Sequence, residues 1–181
     1  MKTALILLLT ILLPAAVSIR AQQPQTALPS ACGPADAKFW SKAGERSQKS
    51  ESKQDAGKAR IYFVHQLGNG NGPWTGTGQP TFPIGLDGNW VGAVHDSSFF
   101  FVDVAPGEHH VCVLEQTYRR TGGDSLELMP LRVEAGNSYF VLTRMEITGS
   151  NMGNFSLSEA NRDMGQFLID TLPISNWRRK N

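Results

Sequence analysis

The sequence predicts an all-β fold: an antiparallel β-sandwich of about seven strands, preceded by an extended N-terminal arm and followed by a short C-terminal helix. Tight-turn signals at Asp87-Gly88 and Pro106-Gly107 separate short runs rich in β-branched and aromatic residues. Asp-Gly supplies the positive φ of a two-residue type I′ turn, so the runs around it are expected to pair as a hairpin, with a second hairpin around Pro106-Gly107. Further turn signals at Gly122-Gly123 and Glu134-Ala135-Gly136-Asn137 recur at intervals of roughly ten residues, the cadence of a sandwich.

Residues 1–21 have the layout of a secretory signal peptide: Lys2, an apolar run over 4–13, Pro14, then small residues up to Ala21. The apolar core is shorter than the roughly 20 residues of a membrane-spanning helix. Cleavage is expected before Gln22, with cleavage after Ser18 as the competing site. Residues 22–57 form a polar arm whose large aromatic groups are Phe39 and Trp40. Such a segment cannot bury enough surface to fold alone, so Cys32 and the Phe39-Trp40 pair are expected to pin part of it to the domain.

The sandwich itself is placed over residues 58–147. Its first strand, Arg60-Ile61-Tyr62-Phe63-Val64-His65, has the composition of an extended, largely buried element. Residues 68–80 hold five glycines, two prolines and Trp74, and read as a long irregular loop. Strands follow at 81–86, 90–94, 98–104, 109–116, 125–133 and 138–147, with Pro130 marking an edge or a bulge in the sixth. In the last part, 148–181, Leu157, Ala160, Met164, Phe167 and Leu168 recur at helical spacing behind the capping candidates Ser156 and Ser158. Gly165 weakens that helix, Pro173 stops it, Trp177 is expected to dock, and Arg178-Arg179-Lys180 reads as a solvated tail.

Charge narrows the partners. Of 17 basic and 16 acidic side chains, Lys2 and Arg20 leave with the signal peptide, and the rest form no block of like charge. That balance argues against nucleic acid and against anionic polymers or membrane surfaces. No segment after the signal is long and apolar enough for a transmembrane helix. Cys32 and Cys112, the chain's two cysteines, suggest a disulfide in an oxidising compartment, the alternative being two unrelated thiols. Cys32 also follows a weak acylation-like context, spoiled by Pro29 where a leucine is wanted.

Candidate chemistry is sparse. His95, Asp96, Glu108, His109 and His110 could supply a zinc or copper site, although His109 and His110 should point to opposite faces of one strand. The glycine-rich stretch around Asn69 and Asn71 lacks the helix that a phosphate cradle requires. Trp74, beside those asparagines, is the candidate ligand or partner contact, with edge-covering as its structural alternative. Asn154-Phe155-Ser156 matches a glycosylation acceptor.

Four stretches resemble the exported bacterial family called domain of unknown function 2846. They are Lys58-Ala59-Arg60-Ile61-Tyr62-Phe63-Val64, Gly85-Leu86-Asp87-Gly88-Asn89-Trp90-Val91-Gly92, residues 98–110 ending in Pro106-Gly107-Glu108-His109-His110, and Val133-Glu134-Ala135-Gly136-Asn137-Ser138-Tyr139-Phe140. The resemblance implies export and a small transthyretin-like sandwich, and it brings no catalytic residues and no cofactor. The expected function is therefore a secreted or periplasmic, non-enzymatic binding or structural module. Its partner would be an envelope protein or a glycan. The alternative is a metal-binding protein or metal-dependent hydrolase using the histidine and carboxylate clusters.

Overall fold

The computed structural model describes residues 29–45, 53–67, 80–116, 125–149 and 152–180. The expected signal peptide and the segment with Asn69, Asn71 and Trp74, expected to be a loop, lie outside them. Among the described residues, ten strands and one helix run in the order β1 (Lys38–Ala43), β2 (Ala59–Leu67), β3 (Phe82–Leu86), β4 (Asn89–Val94), β5 (Ser98–Val104), β6 (Gly107–Leu114), β7 (Leu126–Val133), β8 (Ser138–Gly149), β9 (Met152–Ala160), α1 (Arg162–Thr171) and β10 (Ser175–Lys180). Two four-stranded sheets, β5-β2-β8-β9 and β4-β3-β6-β7, pack as a sandwich, and β1 pairs with β10 in a separate ribbon.

The core between the sheets follows from strand alternation. Ile61 and Phe63 on β2 meet Phe82 and Ile84 on β3, Phe100 on β5, Val111 and Val113 on β6, and Val141 on β8. The opposite parity of β2 is also apolar. Tyr62 and Val64 join Phe99, Phe140 and Leu142 in a second layer that Leu168 and Ile169 of α1 cover. This strand is buried on both faces, which is why its sequence shows no polar alternation. Consistent with that, β2 pairs with β5 in antiparallel fashion and with β8 in parallel.

The expected turn at Asp87-Gly88 forms, with φ of 50° and 84°, and joins β3 to β4 as a hairpin. Pro106-Gly107 does something else. It carries the chain from β5 in one sheet to β6 in the other, so this turn crosses the sandwich instead of closing a second hairpin. Both connections look alike in sequence, because turn chemistry sets the bend and the apolar faces of the flanking strands decide which sheet they enter.

Past residue 148 the expected helix starts late. Residues 152–160 form β9, hairpinned onto β8, and take Ser156, Leu157, Ser158 and Ala160 with them. The helix is capped instead by Asn161, whose side chain accepts from the Met164 N–H at 2.9 Å. Its buried face is Gly165, Leu168 and Ile169, while Met164 and Phe167 stay 46% and 61% exposed. A β-carbon on Gly165 would overlap the Phe140 ring, so the residue that weakens the helix intrinsically is the one that lets it lie flat on β8. The tail, read as solvated, is β10.

Candidate functional site

Residues 29–37 cross the outer face of the β4-β3-β6-β7 sheet, and the Gly85 to Trp90 run shapes their track. Gly85 is buried directly beneath the arm: a β-carbon there would sit 3.0 Å from the Ala31 carbonyl oxygen and from Cys32 Cα. The Gly88 N–H donates to the Ala31 carbonyl at 3.1 Å, and the Trp90 indole N–H donates to the Pro34 carbonyl at 2.9 Å. Cys32 is bonded to Cys112 of β6, with Cα atoms 5.2 Å apart. The disulfide expected from the cysteine count is therefore present, and its sulfur is not open to acylation at Cys32.

The arm then turns into β1. Phe39 is buried against Trp90 and Trp177, with ring centroids 5.7 and 6.3 Å away. The Gln116 side chain clasps the Phe39 backbone from outside the ribbon, accepting from its N–H at 2.9 Å and donating to its carbonyl at 2.8 Å. Ser41 and Ser175, from the two strands of the ribbon, are 2.7 Å apart and lie 3.2 and 2.8 Å from the Ala93 carbonyl of β4, so one hydroxyl donates to the other and the second donates to Ala93. Buried hydroxyls paired in this way carry little desolvation cost, so the ribbon seats on the side of the sandwich without an orphaned donor there.

Asp87 is the hub of a second clamp. One carboxylate oxygen accepts from the His110 backbone N–H at 2.8 Å, and the other lies 2.6 Å from His109 Nδ1. The second ring nitrogen of His109 is 2.9 Å from the Ala105 carbonyl oxygen. Two oxygen acceptors suit an imidazolium, whose nitrogens both donate. Burial pulls the His109 pKa down, but the Asp87 hydrogen bond, the Ala105 carbonyl and the Asp87 charge together raise it above the ordinary value. For Asp87, burial pushes upward and is outweighed by its bonds to His109 and His110, so its pKa lies below the ordinary one. In this state His109 has no lone pair for a metal or for general-base work.

The remaining candidates are apart. His110 lies 3.7 Å from Glu108 in an exposed pair, and the strand alternation puts it on the face opposite His109, as expected. His95 contacts the Pro80 carbonyl at 3.0 Å through Nδ1 and Asp96 at 3.5 Å through Nε2. Among the described residues no group of three or more His, Cys, Asp or Glu side chains has the geometry to hold a metal ion.

Two polar groups of β2 are more deeply set: His65, one of the four histidines that raise the metal question, and Arg60, which the strand composition alone does not single out. His65 is 1% exposed, stacks at 4.5 Å on Phe82 and contacts the Thr143 carbonyl at 3.0 Å. Burial, with a small contribution from His95, lowers its pKa to about 4 against the Thr143 bond, so it is neutral at pH 7. Arg60 forms a 2.7 Å ion pair with Asp103, its cross-strand partner, and lies 4.2 Å over the Phe101 ring. The Asp103 hydrogen bond raises the Arg60 pKa above its already high value, and the same bond lowers that of Asp103. The local pattern of β2, which has no polar alternation, singles out neither contact, because the partners come from strands distant in sequence.

Fold and site together define a class: an all-β sandwich whose N-terminal arm is strapped across one sheet by a disulfide and zipped to the C-terminal segment along one side. No family model matches the chain, and no curated protein or solved structure is significantly similar to it.

Proposed function

We propose that this protein is an exported, non-enzymatic binding or structural module of the cell envelope. The observation that carries the reading is the Cys32–Cys112 disulfide, which belongs to an oxidising compartment and is spent on fixing an arm to a scaffold. The resemblance to domain of unknown function 2846 points to the same setting. The sequence signature at residues 1–21 supplies the export route. Further support comes from the polar groups themselves: His109, Asp87, Arg60 and Asp103 are engaged with one another or with backbone, as scaffold clamps are.

The test is crosslinking and co-purification of the tagged protein from its native cells, alongside elemental analysis of the purified mature chain. Reproducible recovery of one envelope partner, reduced when Trp74 is replaced by Ala, supports the module and the role of its loop. Stoichiometric metal after gentle purification overturns it in favour of the metal-dependent alternative. No helix among the described residues is long and apolar enough to cross a membrane.

A further inference from the structure

The β1-β10 ribbon has two faces of opposite character. Phe39, Ser41, Trp177 and Ser175 share the inward parity. On the outward parity, register puts Lys38 opposite Lys180, Trp40 opposite Arg178 and Lys42 opposite Asn176. Arg178 Cζ lies 5.1 Å and Lys42 Nζ 5.7 Å from the centroid of the half-exposed Trp40 indole. Neither strand contains an acidic residue: Lys-Phe-Trp-Ser-Lys-Ala faces Ser-Asn-Trp-Arg-Arg-Lys. The nearby Asp36 reaches Arg179, which belongs to the other parity. Four cations thus line a strip about 13 Å long, the rise of four strand residues.

This strip is invisible in the linear sequence, where the charges come from positions 38–42 and 178–180 and neither group forms a block. The expectation that membrane surfaces are weak partners rested on that absence, and the topology removes its basis. We propose that the outward face of the ribbon is a docking surface for an anionic phospholipid bilayer, with Trp40 seated at headgroup level among Lys38, Lys42, Arg178 and Lys180. The inference deepens the envelope-module reading and rests on it. Charge complementarity carries it: each basic group near an anionic leaflet contributes attraction of about 1 kcal/mol. The four cations share one face of a short ribbon and so can approach a surface together, and an amphipathic indole suits the boundary between headgroup and acyl chain.

The experiment is co-sedimentation of the mature, disulfide-intact protein with vesicles of phosphatidylcholine containing about a third phosphatidylglycerol, and with phosphatidylcholine alone. Binding is expected only to the anionic vesicles, weakening steeply as salt shortens the Debye length. The K42S/R178S pair should bind roughly 30-fold more weakly, because two contributions of that size are lost. K58S/R132S, with the same change in net charge away from the ribbon, should bind as the parent does. Equal binding to both vesicle types overturns the proposal, as does anionic binding that K42S/R178S leaves unchanged. So does retention on an acidic polysaccharide without vesicle binding, which assigns the strip to a glycan. If vesicles fail while crosslinking still recovers a protein partner, the ribbon inference falls and the module reading stands.

Discussion

At the residue scale, two histidines tie stability to pH in opposite senses. His109 has a raised pKa, so its clamp is complete below the ordinary value of 6.5 and is lost as pH rises through the folded-state value. Asp87 has a lowered pKa, so its contribution is complete above 3.8 and is lost as pH falls through its own folded-state value. The clamp therefore works best between about pH 4 and 6.5, and Asp87→Asn should cost about 1 kcal/mol at pH 5.5 and less at pH 9. Urea unfolding at the two pH values checks this; an equal loss at both would remove the charged clamp. His65 acts the other way. Held neutral with a pKa near 4, it draws stability down as pH falls from 6.5 toward 4, by about 3 kcal/mol in full. His65→Gln should flatten that acid limb even where it lowers stability at pH 7, and the slope of the urea midpoint against pH separates the two effects. Asp87 illustrates what the sequence hid. Its Asp-Gly context announces a turn, but the carboxylate's second task depends on β3 lying beside β6, a pairing between segments more than twenty residues apart.

Elements were legible where local chemistry decides them and misread where packing does. The strands between 59 and 114 fall close to their expected positions, because turn residues and β-branched runs bound each one. The helix begins later than the apolar repeat implies, and of its expected face Leu168 is buried while Met164 and Phe167 are exposed. Leu157 and Ala160 fit a helical repeat equally well, but β8 extends past 147 and offers an edge, so the chain pairs with it first. Gly165 makes the contrast measurable. Alanine is the better helix former by about 1 kcal/mol, yet its methyl group would overlap the Phe140 ring, so Gly165→Ala should destabilise by about 1–3 kcal/mol. A raised thermal midpoint for that variant would show that α1 does not sit on β8 as described. Phe167→Lys, on the exposed face of the same helix, should leave the midpoint within the range of about 0.5 kcal/mol.

At the scale of the whole molecule, the arm and the C-terminal segment turn a sandwich into a closed unit. The disulfide spans 80 residues, and in the chain-entropy account a loop of that size contributes about 4 kcal/mol. The C32S/C112S pair should lose stability of that order, and limited proteolysis should then cut within residues 29–37 before it cuts the strands. The unreduced parent, denatured and titrated, should show no free thiol; two thiols would contradict the strap. Sequence reasoning reached the strap from two cysteines and an aromatic pair. It could not reach the ribbon, because nothing local in Lys38–Ala43 or Ser175–Lys180 names the other as its partner. That partnership has a consequence in time. β1 precedes every other described strand in the chain and β10 follows them all, so the side of the sandwich cannot close until nearly the whole chain is available. Contacts of such long sequence separation form slowly. The two sheets should therefore assemble first, with the ribbon as a late latch, and substitutions within it should speed unfolding while leaving the folding rate almost unchanged.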